Sequence, residues 1–148
     1  MKSTFNILSA ARNLLNVPEF TELITGQIYK ISRPNKSQKI DVVLNTLTIG
    51  SEYLQSGYMN VNIYVKNLQT GLVDSKKLEE LNAAAISLLD QKKSVPFDII
   101  VVSNGQEQSL IANASYVFFN LDSPGVVLKD QESENTHFIN IKLKYNTL

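Results

Sequence analysis

His137 is the one histidine in this chain, and cysteine is absent. Acyl transfer of the serine type needs a nucleophile, a base and an acid that orients the base. A lone histidine at the start of a strand shows no such partners, so His137 reads as structural or exposed. The sequence has no HExxH and no cysteine pair, and its acids are dispersed rather than set at calcium-loop spacing, so no metal is expected. Gly50, Gly57 and Gly71 lie too far apart for either Gly-rich phosphate cradle, and no cofactor is expected. Glu79 and Glu80 invite an acid/base reading, but neighbours on a helix point about 100° apart and cannot share a proton. Tyr116, Phe118 and Phe119 could stack on bases, yet they sit in a strand with Val117 and Leu121 and no interleaved lysine or arginine, which favours core packing. An enzymatic or ligand-binding alternative would have to use Asp98, Glu107 or His137 in a cleft.

What the residue types do offer is charge that is separated along the chain. Lys30, Arg33, Lys36 and Lys39 fall in a stretch without an acid, whereas Asp130, Glu132 and Glu134 fall in one without a base. Two solvated loops would account for this. The sharper expectation is a head-to-tail contact, with the basic loop of one copy against the acidic loop of the next, which can close into a ring. Reversal of Lys36 and Lys39 to glutamate should then weaken assembly. Nucleic acid in the lumen of such a ring is a further possibility for the basic loop, since multiplied copies raise the local charge.

The chain of 148 residues has 43% hydrophobic and 19% charged residues, a globular balance with enough apolar material for one core without staples. Its 14 basic and 14 acidic residues cancel, which gives no general preference for a polyanion. The first residues mix Asn6, Arg12, Asn13 and Asn16 with apolar ones, unlike a signal peptide, and no apolar run is long enough to span a membrane. A cytosolic site of synthesis is expected, and the sequons at Asn35 and Asn113 are read as chance.

The elements that must position these residues follow from periodicity. Apolar residues recur three and four apart from Thr4 to Leu15, predicting an amphipathic helix with Ser3 as its cap, ended by Pro18; a short turn over Phe20 to Ile24 follows. Strands are expected over Gln27 to Ile31 and Ile40 to Ile49. From Tyr58 to Lys66, Met59, Val61, Ile63 and Val65 point one way and Tyr58, Asn60, Asn62, Tyr64 and Lys66 the other. Asp74 is placed to cap a helix over Ser75 to Leu89, with Lys76 set to meet Glu80. Phe97 to Val102 is apolar throughout and reads as a central strand, a further strand lies near Tyr116 to Leu121, and Phe138 to Tyr145 alternates dry and wet positions. Ser32 to Lys39 and Ser123 to Asn135 are expected as irregular excursions. Helices and strands do not alternate as β-α-β, so the expected class is α+β: two main helices on a largely antiparallel sheet of five to six strands, in one domain.

The succession GQIYKISRP (Gly26 to Pro34), DVVLNTLTI (Asp41 to Ile49), GYMNVNIYVKNL (Gly57 to Leu68) and DSKKLEELNAAAISLLD (Asp74 to Asp90) resembles the tail-terminator, or tail-completion, proteins of long-tailed bacteriophages and prophages. The resemblance covers Phe5 to Asp90, and the acidic excursion Lys129 to Asn135 departs from it. It implies a small α+β virion protein without catalysis or cofactor, assembled in the bacterial host cytoplasm. Copies would form a hexameric ring on the tail tube, stop tube growth and offer a surface to the head-tail connector, with DNA met only as it passes the lumen and no membrane involved. Another head-tail joining or head-completion component is the alternative. Strand edges and loops within the motif are the nominated contacts, including the polar positions Asn60, Asn62 and Tyr64.

Overall fold

The computed structural model describes residues 4–49, 56–94, 98–111 and 117–147. Helix α1 (Thr4–Leu15) forms where the three- and four-residue spacing of Ile7, Leu8, Ala11 and Leu15 makes one apolar stripe, and all four are fully buried. Ser3, expected as its cap, lies outside the described residues. Pro18 holds Val17 extended (φ −129°, ψ 153°) and then opens the short helix α2 (Pro18–Thr21), because a first-turn proline has no amide to miss. The expected turn therefore starts at Pro18. Helix α3 (Ser75–Leu89) starts where the Asp74 carboxylate accepts the Lys77 amide at 3.2 Å. On its exposed side Glu80 meets Lys77 at 3.9 Å, not Lys76 as expected. Both spacings put lysine beside glutamate on a helix. Lys77 has the half-buried stem that holds its ammonium in place.

Six strands make the main sheet, in the order β1 (Ile28–Lys30), β2 (Asp41–Ile49), β3 (Ser56–Lys66), β8 (Thr136–Thr147), β7 (Val117–Lys129) and β4 (Lys92–Lys93). Among the described residues β1 and β2 are the parallel pair, and the other pairings are antiparallel. The class is α+β, and α1 and α3 cover one face. Met59, Val61 and Ile63 of β3, Ile141, Leu143 and Tyr145 of β8, and Phe119 of β7 meet Leu78, Leu81 and Leu89 of α3 in one core. Alternation along β3 and β8 follows the sequence reading, because a period of two sends successive side chains to opposite faces.

Two segments depart from expectation. Phe97 to Val102 does not enter the main sheet: Phe97 lies outside the described residues, and β5 (Asp98–Ser103) pairs with β6 (Gln106–Ile111) in a separate two-stranded sheet. Asn104 (φ 53°) and Gly105 (φ 74°) form its turn, a two-residue connection whose positive φ angles match strand twist. Such a local partner is available at less chain-closure cost than a distant one. Ser123 to Lys129, expected as a loop, continues β7 alongside β8. Register shifts between Leu121 and Ser123 and between Ser123 and Val126 absorb the Asp122, Pro124 and Gly125 irregularity. Pro124 survives there because β4 reaches only Phe118 and Phe119, so its missing amide breaks no ladder on that side. Its carbonyl accepts from Asn82 Nδ2 of α3 at 3.1 Å. The irregular excursion is confined to 130–135.

Candidate interaction surface on the open sheet face

The face of the sheet turned away from α1 and α3 carries Asn60, Asn62 and Tyr64, with Arg33 and Asp130 beside them. Its centre is a ladder of amides. Asn60 Nδ2 donates to Asn45 Oδ1 on β2 at 3.0 Å, and Asn140 Nδ2 on β8 donates to Asn60 Oδ1 at 3.2 Å and Asn62 Oδ1 at 2.7 Å. Asn60 stands opposite Asn45, and Asn62 opposite Asn140, so register alone aligns them. Mutual pairing satisfies half-buried amides that would otherwise need water.

At one end the segment 31–40 crosses this face as a strap. It leaves β1 through a left-handed turn: Ile31 has φ 75°, its amide reaches Leu44 O at 2.8 Å, and the Ser32 amide closes back on Lys30 O at 2.9 Å. A β-branched residue at positive φ is strained and must be held by its surroundings. Arg33 supplies that hold. Its guanidinium lies 3.3 Å from Asp41 Oδ2, 3.3 Å from Asp130 Oδ2 and 4.0 Å above the centre of the Tyr64 ring, and Tyr64 stacks on Phe138 at 4.9 Å. Ser37 Oγ donates to the same Asp41 oxygen at 2.5 Å, and the Gln27 amide reaches Oδ1 at 3.4 Å. Asp41 is therefore fully buried although it faces the open side of the sheet. Gly26 lets this happen: a Cβ there would overlap the Asp41 carboxylate and stand 2.9 Å from Ile40 O.

The structure thus brings Arg33, Asp130 and Tyr64 together within one chain, joins Asn60 and Asn62 through Asn140, and separates the remaining nominees. Lys30 turns to the helix face, where its ammonium donates to Ser9 Oγ at 2.5 Å; burial lowers its pKa and the neighbouring Arg12 adds to the effect. Lys36 (φ 58°), Lys39, Glu132 and Glu134 are exposed, and none of their charged groups is paired among the described residues. Asn67 Oδ1 accepts from His137 Nδ1 at 2.8 Å, an amide rather than a carboxylate orienting that side of the ring. Asp98 and Glu107 occupy β5 and β6; their side chains lie outside what the structure describes. Phe119 is core, Phe118 is half-buried on the other face, and Tyr116 is outside the described residues. Among the described residues no three metal-ligating side chains are grouped, and no helix is long and apolar enough to cross a membrane. Sequence reasoning missed Asp41, Ser37, Asn45, Asn140 and Phe138. The polar alternation marked their strands, but their meeting depends on register.

Burial raises the pKa of Tyr64 above the usual 10.0; nearby Asp130 and Glu132 push the same way, and Arg33 opposes them. Tyr145 is raised by burial alone. A raised folded pKa means that the unfolded chain ionises first, so these phenols contribute stability that is complete below pH 10 and lost as pH climbs through their folded values. Lys30 acts in the opposite sense, because its burial cost is relieved as it deprotonates. Urea unfolding at stepped alkaline pH should show falling stability, and Tyr64→Phe should flatten that fall while leaving neutral-pH stability near the parent value. An unchanged alkaline slope in the variant would refute the assignment.

No protein-family model matches this chain, and no curated protein matches it. Among solved structures, one chain of the "Virion of native gene transfer agent (GTA) particle" shares its fold, with a TM-score of 0.67 and 8% identity over 99% of this chain and 98% of that one. Another solved chain aligns over 97% of this chain and 95% of its own with a TM-score of 0.46 and 13% identity.

Proposed function

We propose that this chain is a structural virion protein of the tail-terminator kind, acting as one domain without catalysis. Copies form a ring, hexameric by resemblance, that caps the tail tube, halts its growth and presents a surface to the head-tail connector. DNA is met only in transit through the lumen, and assembly takes place in the host cytoplasm. The observation that carries this reading is the fold shared end to end with a chain of a gene transfer agent virion. Likeness of fold leaves the role to be argued from surfaces. Those surfaces suit assembly: a face of mutually satisfied amides, a strap fastened by buried charge, and exposed lysines and glutamates free to meet other molecules.

Electron microscopy of isolated tails mixed with the purified protein tests the proposal. Density at one tube end only, with rotational symmetry, is expected. Bare tails, or decoration along the tube, would overturn it; binding at the connector instead would assign the chain to head completion.

A further inference from the structure

Two rows of residues run unbroken across the main sheet and finish on exposed valines. One row passes from Ile28 through Val42, Ile63 and Ile139 to Val127; the next passes from Tyr29 through Val43, Asn62 and Asn140 to Val126. At the β7 end the row has no further strand: β4 pairs only with Phe118 and Phe119, Asp90 Oδ1 accepts the Leu121 amide and Asn82 Nδ2 donates to the Pro124 carbonyl, and among the described residues no strand pairs with Val126 to Leu128 on that side. At the other end β1 is the margin of the sheet. Val126, Val127 and Leu128 are nearly half exposed, on both faces of the strand, and Ile31 beside β1 is more so. An open edge with apolar residues on both faces is a template for another strand.

We infer that this β7 edge pairs with the β1 edge of a second copy, so that the sheet continues from one subunit into the next. The inference rests on the ring reading above and names the surfaces that build the ring. Three features of the chain support it. Successive pairings make β1 run opposite to β7, so a neighbour in the same orientation docks as an antiparallel ladder. The free part of β7 and the strand β1 lie in the same two rows, so docking needs no slip along the strands. Charge agrees as well: with Asp130 taken by Arg33, the unpaired acids beside the β7 edge are Glu132 and Glu134, and the unpaired bases on the strap that follows β1 are Lys36 and Lys39. Because the two edges differ, the contact is heterologous and propagates until it closes a ring.

The chain has no cysteine, so introduced thiols report without background. Purified Tyr29→Cys/Val126→Cys protein is oxidised and its covalent species counted. The two positions sit at opposite margins of one sheet, four strand spacings apart, too far for a bond within one copy. A ladder of multimers is expected, and the Leu68→Cys/Val126→Cys control should give none. Val127→Lys, at an exposed site that leaves the fold intact by circular dichroism, should weaken self-association at least about tenfold. Lys36→Glu/Lys39→Glu should weaken it by a similar factor, and adding Glu132→Lys/Glu134→Lys should restore it. If the protein caps tails with rotational symmetry but gives no ladder and ignores Val127→Lys, the edge assignment is wrong and the ring reading stands. A ladder with bare tail ends keeps the edge contact and removes the tail role. Absence of both removes both.

Discussion

Arg33→Ala is expected to lower the unfolding free energy by about 3 kcal/mol, because it strands the Asp41 carboxylate in the interior. Asp41 is fully buried and keeps only the Ser37 hydroxyl and a long contact to the Gln27 amide once the guanidinium is gone. The same change frees Asp130 and uncovers the Tyr64 ring, so the strap loses its fastening to β2, β3 and the 130–135 loop together. Denaturant unfolding measures the loss. The double variant Arg33→Met/Asp41→Asn should recover much of it, since removing both charges removes the uncompensated one. A single variant as stable as the parent would show that the strap is held by something other than this cation.

Phe119→Ala should cost about 4 kcal/mol, and Phe118→Ala, one residue away, less than about 1 kcal/mol. Phe119 is fully enclosed by the core beneath α3, whereas Phe118 is half-exposed on the opposite face. The contrast depends on the strand placing successive residues on opposite sides, and β4 fixes that placement by pairing Lys92 with Phe119 and Lys93 with Phe118. Thermal unfolding reads it directly: the first variant should melt roughly 10 °C lower and the second close to the parent. A larger loss at Phe118 than at Phe119 would mean that the register of β7 is wrong by one.

Where the chain's own periodicity carried the information, the sequence reading and the fold coincide. Helix α3 has one apolar stripe, and β3 and β8 alternate strictly, so a local rule is enough to set their buried faces; in α1 the same spacing finds the buried Leu8, Ala11 and Leu15, but Phe5 and Arg12 in that spacing are exposed and Ile7 and Ala10 are buried instead. Gln106 to Ile111 has no strong apolar pattern, and the pairing of β5 with β6 was announced only by Asn104-Gly105, a turn signal of two residues. Pro124 and Gly125 look like loop residues, but the strand absorbs them with register shifts because the long partner β8 keeps the ladder going on either side.

The basic and acidic stretches show the division most sharply. Their charges, and the chance that they meet, were legible in the residues Lys30 to Lys39 and Asp130 to Glu134. That Arg33 meets Asp130 of its own chain, while Lys30 turns to α1 and Lys36 and Lys39 stay outside, follows from distances that no local pattern encodes. Composition and period determined the class, the two helices, the wet and dry strand faces and the scarcity of reactive side chains. Tertiary structure decided which polar groups are buried together and which edges remain open, because both depend on register between strands far apart in the chain, where electrostatic and packing energies are summed over partners the sequence does not place side by side.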